Sequence, residues 1–329
     1  MRFLFCIGIS AALLSMPGVC AAMHRVPSPR IVRALLWQAR QYTYIKTIHF
    51  VAIERCVLTP KRGQTVHGRA RYKYWGSGKK YRIDYWQFMP QADFRVVITD
   101  NGRHFRMLDR ITGQLIVTRT HPIHGAAPVP ENPILAPLVP LAPYFPHRLN
   151  TPHKDWVNLV RFARNPNSIF SRCREVAPCG PSGPAGVLHG CISGAFNAGA
   201  ARIRFTVAKG RWPHSLVTSW TAEFYQHPGN YVHMRIKYRA FHLASGRRIY
   251  LPAAYREKGM YKNLPWPMGG AGTNNFVVTH VILNKPIPAG TFTIDYKLAR
   301  YILDRHNGKY TTIPIHPARK VQGGAGGLK

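Results

Sequence analysis

The chain has 329 residues, of which 46% are hydrophobic, and this composition excludes an intrinsically disordered protein. Lysine and arginine number 46 against 12 aspartate and glutamate, so the formal net charge is +34. Such a charge disfavours cationic partners and favours an anionic envelope surface such as lipid headgroups, lipopolysaccharide or wall polymers. The basic residues are spread along the chain without one dense block, so an acidic habitat of the host explains the charge as well as an anion site does.

The N-terminus predicts export. Arg2 supplies a positive charge, residues 3–14 are mainly apolar, and small residues at 19–22 provide a cleavage site. We therefore expect a signal peptide over residues 1–22 and a mature protein in the periplasm, where nucleic acid is not an expected partner. No later apolar run reaches the roughly 20 residues of a membrane span. The residues before Cys20 lack the lipobox pattern, so lipid anchoring at Cys20 is not expected.

Four cysteines follow the predicted signal peptide, and the oxidising compartment favours disulfides over free thiols. They are Cys56, Cys173, Cys179 and Cys191. Four cysteines allow three pairings, and the sequence does not choose among them. Their spacing does not match the close pairs of zinc sites, so we expect no metal and no cofactor.

The first element of the mature chain is a predicted helix. Ser28 is placed as its N-cap and Pro29 at its first position. Apolar residues recur at spacings of three and four from Ile31 to Tyr42, which gives one apolar stripe. From Tyr44 onward β-branched and aromatic residues take over.

An antiparallel meander is predicted over residues 69–119. Arg69 to Trp75 and Tyr81 to Tyr85 alternate apolar and charged residues on either side of Gly76-Ser77-Gly78, which predicts a hairpin. Asp100-Asn101-Gly102 and the segment around Thr112-Gly113 mark two further turns.

The middle of the chain changes character. Residues 122–152 contain nine prolines, which excludes a regular helix or a central strand. The segment is too apolar for a solvated linker, so we expect it to pack against the sheet. A second helix is predicted to start at Thr151-Pro152, and residues 166–199 are expected to be rich in loops.

Strand patterns resume after residue 200. They cover residues 201–208, 216–225, 231–241, 249–252, 276–284 and 291–296. In the first and third of these, apolar residues alternate with Arg, Lys or His, which indicates a sheet with one buried and one cationic face. About ten strands with two or three helices predict an α+β fold.

The order of these elements resembles the LolA/LolB-type periplasmic lipoprotein carriers and their exported relatives. The resemblance is carried by Lys80–Asp84, Val97–Gly102 and Asn132–Leu135, within a region from Arg30 to Phe241. It implies a strongly curved, mainly antiparallel β-sheet, a half-open barrel covered by a few helices and a proline-rich loop, with a cavity that shelters acyl chains. The chain departs from the carriers in its greater length and its basic character.

The domain organisation that follows has four parts. Residues 1–22 form the signal peptide, 23–241 the LolA-like curved-sheet domain, 242–317 C-terminal strands that extend or pack on the same domain, and 318–329 a flexible tail.

We therefore expect a monomeric, non-enzymatic periplasmic protein that binds a hydrophobic or acylated ligand. The candidate ligand-binding residues alternate along the hairpin or lie in the proline-rich segment: Tyr72, Tyr74, Tyr81, Ile83, Tyr85, Leu135, Leu138, Leu141 and Phe145. Aromatic residues in such a pattern are more often ordinary core, in which case the protein is an envelope-associated structural or sensor protein with a filled core. The proline-rich segment is then a static cover for the sheet edge rather than a lid.

No catalytic motif is assembled in the sequence. Ser182 lies in Gly-Pro-Ser-Gly-Pro, which is not a nucleophile elbow, and His121 and His124 have no third metal ligand nearby. A cell-wall polymer hydrolase is the second alternative, with Asp93 and Asp100 as its candidate carboxylates.

Overall fold

The computed structural model describes residues 28–78, 80–89, 92–118, 164, 175–179, 187–196, 199–209, 215–224, 228–261, 270–306 and 309–314. Helix α1 (Pro29–Tyr42) precedes fifteen strands of one sheet. The strands are β1 (Thr47–Pro60), β2 (Val66–Ser77), β3 (Lys80–Met89), β4 (Ala92–Asp100), β5 (Phe105–Asp109), β6 (Gln114–Thr118), β7 (Glu175–Pro178), β8 (Val187–Phe196), β9 (Gly199–Lys209), β10 (Ser215–Phe224), β11 (Tyr231–His242), β12 (Arg248–Tyr261), β13 (Gly270–Leu283), β14 (Tyr301–His306) and β15 (Lys309–Pro314). Short 3₁₀ helices lie at Ala289–Phe292 and Tyr296–Leu298.

The sheet is built from two antiparallel meanders. Its order is β15-β14-β6-β5-β4-β3-β2-β1-β13-β12-β11-β10-β9-β8-β7. Strands β1–β6 form the first meander and β7–β13 the second, and antiparallel pairing of β1 with β13 joins them. The β14–β15 hairpin adds to the first meander through parallel pairing of β14 with β6. In the part of the chain that the structure describes, the outer strands β15 and β7 do not pair, so the sheet is open.

The two faces of the sheet differ sharply. Successive side chains of a strand point to opposite faces, and in β1 this places Phe50, Ala52 and Glu54 among the buried residues. The same face of the other strands carries one core cluster that extends from Ile116 in β6 to Leu188 in β8. We call this the buried face and the opposite one the outer face. The alternation predicted for β9 and β11, with apolar residues inside and cations outside, is confirmed.

Helix α1 packs on the buried face and is fixed there by two buried glutamines. Gln38 Nε2 donates to Tyr238 Oη at 2.8 Å, and Gln38 Oε1 accepts from the Val217 amide at 3.0 Å. Gln41 Oε1 accepts from the Tyr250 amide at 2.6 Å. Buried amide groups are stable only when they are hydrogen-bonded, so these contacts set the position of the helix over β10, β11 and β12.

A smaller core lies on the outer face of the first meander. It joins β4, β5 and β6 to the segment that follows β13, and its members are Val97, Leu108, Leu115, Val117, Ile294, Ala299 and Ile302. The C-terminal part of the chain therefore covers the outer face at that end of the sheet.

Several local predictions are confirmed. The helix begins at Pro29, although the Ser28 side chain makes no capping hydrogen bond. The hairpin β2–β3 turns after Ser77, and Gly78 has a φ of 56°. In the next turn Gly102 has a φ of 86°, and its amide donates to Asp100 Oδ1 at 2.7 Å. Gly113 has a φ of 75°, as its predicted turn requires.

The prediction of a loop-rich segment over residues 166–199 is wrong where the structure describes it, because β7 and β8 lie there. Glycine interrupts the side-chain pattern of β8. Gly190 stands where a Cβ would lie 2.6 Å from Phe205 Cε2 and 2.9 Å from Ile31 Cδ1, so neighbouring side chains fill its place. The short strand predicted over residues 249–252 is part of the much longer β12.

The strand predicted over residues 291–296 is also wrong. Polar side chains there bond to the local backbone: Thr293 Oγ1 donates to the Gly290 carbonyl at 2.8 Å, and Asp295 Oδ1 accepts from the Lys297 amide at 2.9 Å. Such bonds favour turns over strand pairing. The described residues alone form fifteen strands, whereas the sequence predicts about ten. The second predicted helix, the proline-rich segment, Ser182, His121 and His124 lie outside the described residues.

One disulfide is described at both ends. Cys179 and Cys191 are bonded with their Cα atoms 5.5 Å apart, which ties the end of β7 to β8. Cys56 is also disulfide-bonded, and its partner lies outside the described residues. In the described part of the chain, no helix has the length and hydrophobicity needed to span a bilayer.

Candidate functional site

The candidate site is the buried face of the sheet, where the structure places the five hairpin residues predicted to bind ligand. Tyr72 is the register partner of Tyr85, Tyr74 of Ile83, and Gly76 of Tyr81, so the set lies side by side on β2 and β3. Each of the five is at most 6% exposed. The other predicted residues, Leu135, Leu138, Leu141 and Phe145, lie outside the described residues.

Aromatic contacts join the hairpin to the centre of the sheet. The rings of Tyr72 and Tyr85 have centroids 4.7 Å apart, and those of Tyr72 and Phe276 lie 5.5 Å apart in an edge contact. Phe276 stacks on Tyr255 at 4.9 Å. Edge-to-face and offset pairs of this kind add to the area term of burial. The result is a continuous aromatic surface from β3 to β12.

A buried carboxylate lies within this aromatic surface. Tyr72 Oη donates to Glu54 Oε2 at 2.5 Å, and Asn274 Nδ2 donates to Glu54 Oε1. A carboxylate removed from water is costly unless hydrogen bonds compensate it, and these two donors meet that need. Glu54 is not among the residues predicted from the sequence. The signal was present, because Glu54 continues the alternation of Phe50 and Ala52 in β1.

Burial keeps the tyrosines of this face neutral. Desolvation raises the pKa of Tyr72 well above its ordinary value, and the charge of Glu54 adds to the shift. The pKa of Tyr85 rises for the same two reasons, in the same order. Burial also raises the pKa of Tyr81, with Asp100 as the next cause. At neutral pH these side chains therefore present hydroxyl groups and not phenolates.

A pair of glycines interrupts the side chains of the buried face. Gly259 in β12 and Gly272 in β13 are register partners, and Gly272 also faces Leu58 in β1. A Cβ at Gly272 would meet its nearest described atoms, Val57 O and Leu58 Cδ1, at 3.8 and 3.9 Å. These are ordinary contact distances, so a β-carbon would fit at Gly272 without a clash. We call Gly259 and Gly272 the glycine pair.

Polar groups border the glycine pair. Asn274 follows Gly272 by two residues and therefore lies on the same face, where its register partner in β12 is Glu257. Asn274 Oδ1 is buried and accepts no hydrogen bond from the described residues. The arrangement combines an apolar surface, a gap in its side chains and a polar acceptor beside the gap. Such a combination suits an amphipathic ligand.

The candidate carboxylates of a hydrolase are not brought together. Asp93 accepts from Trp86 Nε1 at 2.8 Å and pairs with Arg95 at 3.1 Å, and Asp100 accepts the Gly102 amide in its turn. The two aspartates lie seven positions apart in the regularly paired β4, and because this offset is odd they point to opposite faces. Within the described ranges, no group of three His, Cys, Asp or Glu side chains is arranged to hold a metal ion.

Three solved structures are similar to this chain. A DUF1329 family protein from Desulfovibrio piger has 10% identity and a TM-score of 0.39, with 82% of this chain and 98% of that chain covered. A LolA superfamily protein from Nitrosomonas europaea also has 10% identity and a TM-score of 0.39, over 83% of this chain and 100% of that one. An outer membrane lipoprotein-sorting protein domain from Vibrio parahaemolyticus has 6% identity and a TM-score of 0.37, over 79% and 95%.

The LolA superfamily, which the sequence resembles, is named in the description of one of these structures. No protein-family model and no curated protein matches the sequence.

Proposed function

We propose that this chain is a non-enzymatic periplasmic binding protein that shelters a hydrophobic or acylated ligand on the buried face of its sheet. The observation that carries the proposal is the glycine pair, where the buried face lacks side chains and Asn274 Oδ1 offers a polar acceptor beside the apolar core. An acyl chain lies over Gly272 and Gly259 in this proposal, and its polar end is placed near Asn274. The tyrosines of the β2–β3 hairpin form the adjoining wall of the ligand site.

The extent of the buried face across the sheet supports this placement. Fifteen strands at about 4.8 Å spacing would extend about 67 Å if they lay flat. Helix α1, with its 14 residues, is only about 21 Å long, yet residues from β6 to β8 are buried on one face. Large sheets twist and curl. We infer a half-open barrel whose buried face closes around the ligand, with Leu135, Leu138, Leu141 and Phe145 as its cover.

Burial of an acyl chain supplies enough free energy for such binding. Each methylene transferred from water gains about 0.8 kcal/mol, so a chain of about twelve methylenes gains roughly 10 kcal/mol. Association and ordering cost about 4 kcal/mol or more, so the surplus is at most about 6 kcal/mol, which is weaker than the roughly 8 kcal/mol of micromolar affinity.

The experiment is the binding of a fluorescent fatty acid to the mature protein, with displacement by phospholipid. Gly272→Val fills the glycine pair without a positive-φ penalty and should weaken binding at least tenfold. Gly290→Val is the matched control, because a Cβ there meets no atom within 4 Å, and it should bind like the wild type. Circular dichroism establishes that each variant is folded. A folded wild type that does not bind the probe contradicts the function, and unchanged binding by Gly272→Val contradicts the site.

A second candidate function rests on the near-complete burial of the five hairpin residues. Side chains this buried are typical of a filled core, and the protein is then an envelope structural or sensor protein. The same probe separates the two functions, since a filled core takes up no fatty acid.

A further inference from the structure

Four arginines line up across the outer face of five neighbouring strands. Arg69 in β2 is the register partner of Arg55 in β1, which also faces Asn275 in β13. Asn275 faces Arg256 in β12, and Arg256 faces Arg235 in β11. All five side chains are exposed, at a strand spacing of about 4.8 Å. We call Arg69, Arg55, Arg256 and Arg235 the arginine row.

The arginine row is unfavourable for folding. Like charges directly opposite each other on adjacent strands are destabilising, and both Arg55–Arg69 and Arg235–Arg256 are such pairs. These pairs therefore do not stabilise the sheet itself. A partner that brings negative charge to the row would remove the repulsion.

No carboxylate neutralises the row from its own strands. The outer face of β2, β1, β13, β12 and β11, all fully described, bears further cations but no Asp or Glu. The two glutamates of these strands belong to the buried face: Glu54 is bonded to Tyr72, and Glu257 lies two residues from the buried Tyr255. The further cations of this face are Arg71, Lys73, Lys237 and Lys258. We call the outer face of these five strands the outer patch.

The carboxylates on neighbouring strands are paired with their own arginines. Arg82 binds Asp84 at 2.7 Å on β3, and Arg204 binds Glu223 between β9 and β10. The outer patch therefore carries positive charge that no Asp or Glu of its own strands offsets, beside strands whose carboxylates are already paired.

Two histidines on this face also have lowered pKa values, in part because cations lie near them. The pKa of His233 is lowered by desolvation and then by Arg235 and Lys258. The pKa of His49 is lowered by desolvation and then by His280 and Lys73. On the outer patch, neighbouring cations thus oppose the addition of further positive charge.

Exposed apolar side chains run beside the arginine row. Ile53 and Val277 are register partners on β1 and β13, and they are 41% and 48% exposed. On β2, Arg71 is the register partner of both Ile53 in β1 and Trp86 in β3, and it lies between them. Trp86 is 43% exposed. A soluble polyanion offers these apolar groups no contact. A bilayer interface accepts both kinds of residue, because headgroup phosphates bind arginine and the acyl boundary accommodates Ile, Val and Trp.

We propose that the outer patch docks this protein on a bilayer surface rich in anionic phospholipid. The arginine row contacts headgroup phosphates, and Ile53, Val277 and Trp86 enter the interface. The docking surface is opposite to the buried face, so this role goes beyond ligand binding. It leaves the buried face directed away from the membrane plane.

The test is co-sedimentation of the full mature chain with vesicles of phosphatidylglycerol and phosphatidylcholine, compared with phosphatidylcholine alone. The wild type should bind only the anionic vesicles, more weakly as salt increases. Replacement of the arginine row by glutamine (R55Q, R69Q, R235Q, R256Q) should weaken binding by about two to three orders of magnitude. Equal binding to both vesicle types would overturn the proposal.

A control set removes the same charge elsewhere. R30Q, R33Q, R103Q and R110Q replace exposed arginines outside the outer patch and should change vesicle binding by no more than about threefold, as expected for charges that do not face the surface. A loss equal to that of the arginine-row variant would assign binding to net charge and overturn the proposal.

A second variant separates a bilayer from a soluble polyanion. Ile53→Ser with Val277→Ser keeps every charge, and it should weaken vesicle binding while leaving inorganic polyphosphate binding unchanged. If this variant binds vesicles as strongly as the wild type does, docking on a bilayer is contradicted, and a soluble polyanion is the partner instead. Fatty-acid probe binding, measured on the same variants, should be unaffected, so failure of the docking role is distinguishable from failure of the ligand-binding role.

Discussion

The hydroxyl of Tyr72 donates a hydrogen bond of 2.5 Å to the carboxylate of Glu54 on the neighbouring strand, and both side chains are buried. Asn274 supplies the second donor from the strand on the other side. This single carboxylate therefore connects three strands, and two of them, β1 and β13, belong to different meanders.

Tyr72→Phe should lower the free energy of unfolding by about 2–3 kcal/mol, because it deprives a buried carboxylate of one of its donors. Urea denaturation measures the change. Tyr231→Phe removes the same atom from an exposed tyrosine and should change stability by less than about 0.5 kcal/mol. Equal effects of the two variants would show that the Tyr72–Glu54 bond does not stabilise the fold.

Gln38→Leu should destabilise the protein by about 1–3 kcal/mol, since it leaves the buried Val217 amide without the Gln38 acceptor. Leucine is close to glutamine in size, so the change in stability comes mainly from the lost hydrogen bond. Arg33→Leu changes an exposed residue of the same helix and serves as the control in thermal unfolding. If Gln38→Leu unfolds at the wild-type temperature, the glutamine does not fix α1 to the sheet.

Gly190→Ala should cost about 1–3 kcal/mol, because the added methyl group would overlap Phe205 and Ile31 and force them to move. Gly290→Ala introduces the same methyl group where no atom lies within 4 Å, so its stability should match the wild type. The denaturant midpoints of the two variants, compared with that of the wild type, measure these changes in stability. A neutral Gly190→Ala would mean that α1 and β9 are not tightly packed at this point.

Stability should fall in alkaline solution. Burial raises the pKa of Tyr42, Tyr72, Tyr81 and Tyr85 well above 10.0, whereas the unfolded chain has ordinary tyrosines. The folded state then binds more protons above pH 10, so this contribution is complete below pH 10 and is lost as the pH rises toward the folded values. Tyrosinate absorbance of native and guanidinium-unfolded protein tests this. Coincident titration curves would contradict the burial.

Strands with clean alternation are predictable from sequence, as β2, β3, β9 and β11 show. β8 was not, because Gly190 and Gly194 remove the side chains that would mark its faces. The pairing of β1 with β13 joins Ile48 to Leu283, and no local pattern encodes so distant a partner.

The candidate site likewise has residues that are predictable from the sequence and residues that are not. The tyrosines of the hairpin followed from period-two alternation. The roles of Asn274 and Gly272 depend on their cross-strand neighbours, Cys56 and Leu58 in β1, and are therefore visible only in the assembled sheet. The arginine row is likewise a product of register, since its four members come from four separate strands.

The β1–β13 junction has a kinetic consequence. Each meander can complete its hairpins from residues close in sequence, whereas the junction must bring together segments more than two hundred positions apart. Contacts of such long separation form slowly. A chain in which this junction has not yet formed has two half-sheets with unpaired edges, and such chains would depend on dilution or on a chaperone to avoid pairing with one another.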